Sequence, residues 1–175
     1  MKKQIKLLIA VTLLLFAFSS SYAQLSLGGG LGFGTDITSI GITIKGNYPF
    51  IEEWEGSGSF TYFIPKNESQ YLNISLWEFN VDAHYILNST EKYTFYPLAG
   101  LSLTGVTFDY DNLSSNPFFT TVDRTVTQVG LNIGAGGTLL FSESLSGYAE
   151  VKYVIGGFGQ LVANVGVLFQ LKGGK

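Results

Sequence analysis

Six ionisable side chains are the residues best placed to do chemistry: Lys45, the trio Glu78, Asp82 and His84, and the pair Glu150 and Lys152. Carboxylates beside a histidine are parts of acid–base and nucleophilic catalysis, and a string of titratable groups can also pass protons or ions. Metal chemistry is poorly supplied, because the chain has one histidine and no cysteine and zinc draws on several such ligands. The glycine run Gly28-Gly29-Gly30-Leu31-Gly32 precedes no helical pattern, so it is not a phosphate loop. Spacing decides among these readings. Residues two or four apart on an extended chain share a face, which puts Glu78, Asp82 and His84 together and Glu150 beside Lys152. Lys45 and Lys152 then stand against three carboxylates as an ion-pair network. Buried charges persist only when paired and hydrogen bonded. The expected role is therefore a structural polar core rather than a proton or ion path, with no catalytic residue, metal or cofactor.

Elements of two-residue period must position these groups, and eight can be read from Leu25 to Leu171. Leu25–Gly34 sets Leu25, Leu27, Leu31 and Phe33 against Ser26, Gly28, Gly30 and Gly32. After a Thr35-Asp36 turn, Ile37–Tyr48 sets Ile40, Ile42, Ile44 and Tyr48 against Gly41, Thr43, Lys45 and Asn47. Pro49 to Glu55 reads as a turn, Gly56–Ile64 as the third strand, and Pro65 as its end, with the polar loop PKNESQYLN beyond. Ile74–Leu87 alternates most clearly, with Trp77, Phe79, Val81, Ala83, Tyr85 and Leu87 opposite Glu78, Asn80, Asp82 and His84. Tyr93–Phe108, Thr125–Phe141, Gly147–Gly156 and Leu161–Leu171 complete the series, and the longest loop is Asp109–Arg124. Strands joined by hairpins make an up-and-down antiparallel sheet, which loses its exposed edges by closing into a barrel.

The N-terminus reads MKKQIKLLIAVTLLLFAFSSSYAQ, with a basic start, an apolar stretch from Leu7 to Phe18 and a small-residue site at Ser21-Tyr22-Ala23. This is a secretory signal peptide, too short in its apolar part to span a bilayer. The expected division is residues 1–23 as signal peptide and 24–175 as one barrel domain. Cleavage would remove three basic residues and no acidic one, taking the net charge from −3 to −6. An acidic chain without a basic cluster argues against nucleic acid, and zero cysteines exclude a disulfide framework. Charged residues make up 13% of the chain, about half the ~25% of soluble domains. Aromatic residues make up 15%.

That composition suits a transmembrane β-barrel. The alternative is a soluble eight-stranded barrel of the lipocalin type, with the apolar row inside around a ligand. It would place Trp77, Phe79, Tyr85, Phe95, Phe141, Tyr153 and Phe169 in an interior barely wide enough for side chains and would show glycines and amides to water. The membrane arrangement is therefore expected, with the apolar row on lipid. Tyr48, Phe50, Trp54, Tyr93, Phe95 and Phe141, near strand ends, would form an interfacial girdle.

FTYFIPK (60–66), LWEFNVDAHYIL (76–87), YPLAGLSLTG (96–105), GLNIGAGG (130–137) and AEVKY (149–153) together resemble the small outer-membrane β-barrel proteins of Bacteroidetes, within the broad OmpX-like and OmpA-like, porin-like group. Asn164, Gly166, Phe169 and Leu171 resemble the C-terminal signal read by the barrel-insertion machinery, although such barrels often end on an aromatic residue and this chain continues Lys172-Gly173-Gly174-Lys175. The resemblance implies an eight-stranded antiparallel barrel in the bacterial outer membrane, in contact with its lipid. Some barrels of this kind are lipid A acylases or deacylases, but a deacylase site needs a histidine facing lipid beside a serine, and the alternation turns His84 inward. A non-enzymatic protein of envelope integrity, adhesion or surface contact is expected, with Tyr71, Tyr110, Phe118 and Phe119 as external-loop contacts to a surface partner. The alternatives are a small solute pore and a soluble periplasmic ligand-binding barrel.

Overall fold

A computed structural model of the protein describes residues 25–69, 72–90, 92–110, 124–156 and 158–171. Its long strands are β1 (Ser26–Gly34), β2 (Ser39–Ile51), β3 (Trp54–Ser69), β4 (Leu72–Tyr85), β5 (Tyr93–Tyr110), β6 (Arg124–Ser142), β7 (Leu145–Ile155) and β8 (Leu161–Gln170). Each pairs antiparallel with the next, and β1 pairs with β8 from Ser26↔Gln170 to Gly34↔Val162. The sheet is a closed barrel. A two-residue bridge, Asn88–Ser89, lies against Phe95 and Thr94 inside the β4–β5 connection.

The first strand begins and the last strand finishes at the end that also carries the tight turns at residues 52–53 and 143–144. We call this the turn end and the opposite one the loop end. The strands differ in reach. β3 to β6 hold 16, 14, 18 and 19 residues, whereas β7, β8 and β1 hold 11, 10 and 9. Since β3–β4 and β5–β6 pairing continues to Ser69↔Leu72 and Phe108↔Arg124, one wall of the barrel projects beyond the other at the loop end.

Two expectations about strand ends are overturned. Pro65 does not end the third strand, and most of PKNESQYLN belongs to a hairpin paired to Ser69↔Leu72. The register shifts between Phe63 and Lys66, and a bulge of this kind absorbs a proline that cannot donate to the ladder. Pro49 to Glu55 is not a turn either. β2 and β3 pair to Ile51↔Trp54, leaving residues 52–53 to reverse the chain. The extra residue of that register shift is Phe50, and a second shift beside the 143–144 turn leaves out Phe141. Both rings fold onto a glycine of the next strand: a Cβ on Gly56 would lie 2.6 Å from Phe50, and one on Gly147 would lie 2.8 Å from Phe141.

The barrel is inverted relative to a soluble domain. Ile40, Ile42, Ile44, Phe79, Val81, Leu101, Leu131, Ile133 and Val165 are exposed on its outer face, while Lys45, Glu78, Asp82, His84, Glu150 and Lys152 are buried inside. Aromatic residues bound the apolar band at both ends. Trp54 pairs with Tyr85 near the turns and Tyr62 pairs with Trp77 near the loops. Eight residues separate the members of each strand, which is about 26 Å along a strand and about 20 Å along a barrel axis tilted by about 40°. That height is close to the apolar band of a membrane barrel. Phe50, Tyr93, Phe95 and Phe141 extend the turn-end ring outward, and Tyr48 packs its ring edge-on to Phe50 at 5.4 Å.

Candidate functional site

The alternation of β2, β3, β4 and β7 aims the ionisable side chains into the lumen, where they form two groups. In the turn-end group, Lys45 Nζ lies 2.9 Å and 3.0 Å from the two carboxylate oxygens of Glu150 and donates to Ser57 Oγ at 2.6 Å. Tyr96 donates its hydroxyl to Glu150 Oε1 at 2.8 Å. The Tyr96 ring stacks on His84 at 4.3 Å with an interplanar angle of 7°. His84 Nδ1 is 3.0 Å from Glu55 Oε1, which also accepts from Asn47 Nδ2 at 2.7 Å. The opposite ring nitrogen of His84 is 3.7 Å from Glu150.

The loop-end group is built around Lys152, whose Nζ is 3.3 Å from Glu78 Oε1 and 3.6 Å from Asp82 Oδ2. Asn132 Nδ2 donates to Asp82 Oδ1 at 2.7 Å and to Asn80 Oδ1 at 2.9 Å, and Gln160 Nε2 reaches Glu78 Oε2 at 3.5 Å. Above it an apolar layer crosses the barrel. Phe63, Leu76, Val106, Val154 and Val162 are all buried and form one cluster, with Ile37, Ile74 and Phe158 packed against it. These five residues continue the inward rows of their strands, and they close the lumen with hydrocarbon above the charges.

Near the lumen centre, Tyr148 needs empty space on its neighbours. A Cβ on Gly30 would lie 2.7 Å from the Tyr148 hydroxyl, and one on Gly166 would lie 2.7 Å from its ring. The bare inner faces of β1 and β8 therefore make room for the tyrosine, whose ring also lies 5.5 Å beneath the Lys45 ammonium. At the turn end the lumen opens into a polar vestibule of about 190 Å³, with Asn47 and Glu55 in its lining.

The six expected interior residues all face the lumen, divided between the two groups. Of the proposed assembly signal, Asn164 is buried and accepts from Thr43 at 3.3 Å, Gly166 lies against Tyr148, and Phe169 and Leu171 are exposed outside. Tyr71, Phe118 and Phe119, like residues 1–23 and Lys172 to Lys175, lie outside the described residues. Tyr110, expected in the long loop, is instead the last residue of β5, its backbone paired with Leu72; its side chain lies outside the described residues. Sequence reading missed Glu55 as an interior group by placing it in a turn. Its odd number continues the inward series of Ser57 and Thr61, so the phase of β3 was the available signal. Gln160 lies between strands and carries no such signal. His84 is fully buried, and its charged neighbours are the carboxylates of Glu55 and Glu150. Among the described residues no group of three or more His, Cys, Asp or Glu side chains is placed to hold a metal ion.

No protein-family model and no curated protein sequence matches the chain. Solved structures do match. Ail, the attachment invasion locus protein of Yersinia pestis, superposes with a TM-score of 0.60 at 18% identity over 85% of this chain and 97% of that one. The N-terminal β-barrel domain of Pseudomonas aeruginosa OprF gives 0.62 at 18% identity over 85% and 97%. Neisserial surface protein A gives 0.58 at 16% identity over 85% and 96%. Identities this low establish architecture alone. The chain has the closed eight-stranded antiparallel fold of the small bacterial outer-membrane β-barrels.

Proposed function

We propose that the protein is a non-enzymatic β-barrel of the outer membrane, of the small kind found in Bacteroidetes, exported by way of a signal peptide at residues 1–23. The outer face contacts lipid, the turn end faces the periplasm, and the projecting β3–β6 wall faces outward. The observation that carries this reading is the inversion of the barrel: an apolar outer band between two aromatic rings, around a lumen of buried charge. Its role is envelope integrity, adhesion or surface contact at the projecting end, through the loops bearing Tyr71, Phe118 and Phe119 and through Tyr110 at the end of β5. The name of Ail, an attachment invasion locus protein, lends the surface-contact reading support by analogy of fold. Asn164, Gly166, Phe169 and Leu171 serve as its address to the barrel-insertion machinery.

Membrane fractionation with heat-modifiable gel migration tests the reading. The protein is expected in the outer-membrane fraction, migrating differently boiled and unboiled. Recovery in the soluble periplasm with identical migration would overturn it. A solute pore would instead give stepwise conductance in planar bilayers. The packed ion pairs and the apolar layer lead us to expect silence.

A further inference from the structure

Among the described residues, the buried charge of the lumen is more negative than positive. Four carboxylates, Glu55, Glu78, Asp82 and Glu150, face two lysines and one histidine. At the loop end this imbalance is shut beneath the apolar layer. At the turn end the group opens on the vestibule, where Lys45 is committed to Glu150 and the cavity is lined by Glu55 and, at an exposed position, by Lys92. Glu55 Oε1 already accepts from Asn47 and His84. Beside it, Asn47 is 1% exposed, and its carbonyl oxygen Oδ1 has no hydrogen-bond partner. A buried acceptor without a donor is costly, and here it belongs to a residue that, with Glu55, lines a cavity large enough to admit a ligand.

We propose that the vestibule binds an alkyl primary ammonium group, with Glu55 supplying the charge and the orphaned Asn47 oxygen a hydrogen bond. An ammonium group brings three donors and no acceptor, which matches an acceptor-rich floor extended by the hydroxyl residues Thr138 and Ser146. A calcium ion would take six to eight oxygen ligands, several of them carboxylates, whereas this cavity offers one carboxylate. Leu145 and Leu168, also in the lining, give methylene groups an apolar wall. The volume of about 190 Å³ exceeds what a bare ion needs. Lys92 also lines the cavity, with an exposed side chain. Its charge opposes the ligand and favours a slender chain that carries its ammonium down to Glu55. The site does not depend on the surface role proposed above or on which side of the membrane the turn end faces.

Calorimetry on the full chain in phospholipid nanodiscs tests the site with two probes, 1,5-diaminopentane and N-acetyl-lysinamide. They separate a free diamine from a lysine side chain, and saturable binding of either supports the proposal. Glu55→Gln keeps the shape and the acceptor and is expected to weaken binding by about tenfold or more, since a charged hydrogen bond is lost. Glu143→Gln, at an exposed position of the neighbouring turn, is expected to leave affinity unchanged. Binding of neither probe would overturn the proposal. So would equal loss in both variants, or displacement of the diamine by calcium at the same concentration. Heat-modifiable migration of each variant shows that it has folded, so failure to bind is distinct from failure to form the barrel.

Discussion

Each interior group holds one lysine and two carboxylates: Lys152 near the loops lies close to both Glu78 and Asp82, whereas Lys45 near the turns pairs with Glu150 while Glu55 is bonded by His84 and Asn47. What surrounds them differs. Above Lys152 lie Phe63, Leu76, Val106, Val154 and Val162, and among the described residues its carboxylates are neutralised or bonded by the lysine, Asn132 and Gln160. Below Lys45 lies a polar vestibule, and the second carboxylate of that group stands partly in it, its side chain 21% exposed. The same one-to-two ratio of charge is thus a closed structural plug at one end and an open, charge-bearing floor at the other. Charge content alone does not tell a plug from a site. Access to solvent does.

The largest effect is expected where the closed group loses its cation. Lys152→Met leaves two carboxylates unpaired beneath hydrocarbon, and breaking a buried pair costs about 3–5 kcal/mol. Urea unfolding of the refolded barrel in lipid vesicles is expected to show a loss at the upper end of that range. Phe63→Ala opens the layer above and is expected to cost about 3–4 kcal/mol, as a large buried aromatic truncated to alanine does. It is also expected to let a thiol at Thr104→Cys be labelled from the loop side, which the intact layer prevents. In the turn-end group, Glu150→Gln leaves Lys45 without its counter-charge and is expected to cost about 3 kcal/mol. Glu55→Gln retains its acceptor to Asn47 and His84, borders the vestibule, and is expected to cost about 1 kcal/mol. Equal losses for the last two would erase the distinction between a buried carboxylate and one open to the vestibule.

Much of this arrangement was legible in the chain. Alternation in Ile74–Leu87 and Gly147–Gly156 was enough to put Glu78, Asp82, His84, Glu150 and Lys152 on inner faces, because a strand has only two. The two interior groups were not legible, since which lysine meets which carboxylate depends on register across β2, β7 and the barrel. The apolar layer was also hidden. Phe63, Leu76 and Val162 sit in rows that read as polar, and only closure of the barrel brings them to one height. Pro65 misled because proline is a reliable breaker in a regular strand and a tolerable residue in a bulge.

The chain holds two tryptophans, and they fall in opposite aromatic rings, Trp54 near the turns and Trp77 near the loops. Fluorescence quenching in vesicles of brominated phospholipids therefore tests the lipid-facing assignment of the outer surface directly. Single-tryptophan variants Trp54→Phe and Trp77→Phe are each expected to be quenched strongly by lipids brominated near the headgroup, weakly by lipids brominated near the chain ends, and little by aqueous acrylamide. Efficient acrylamide quenching of both tryptophans, with no response to brominated lipid, would contradict a barrel whose apolar face lies in the membrane.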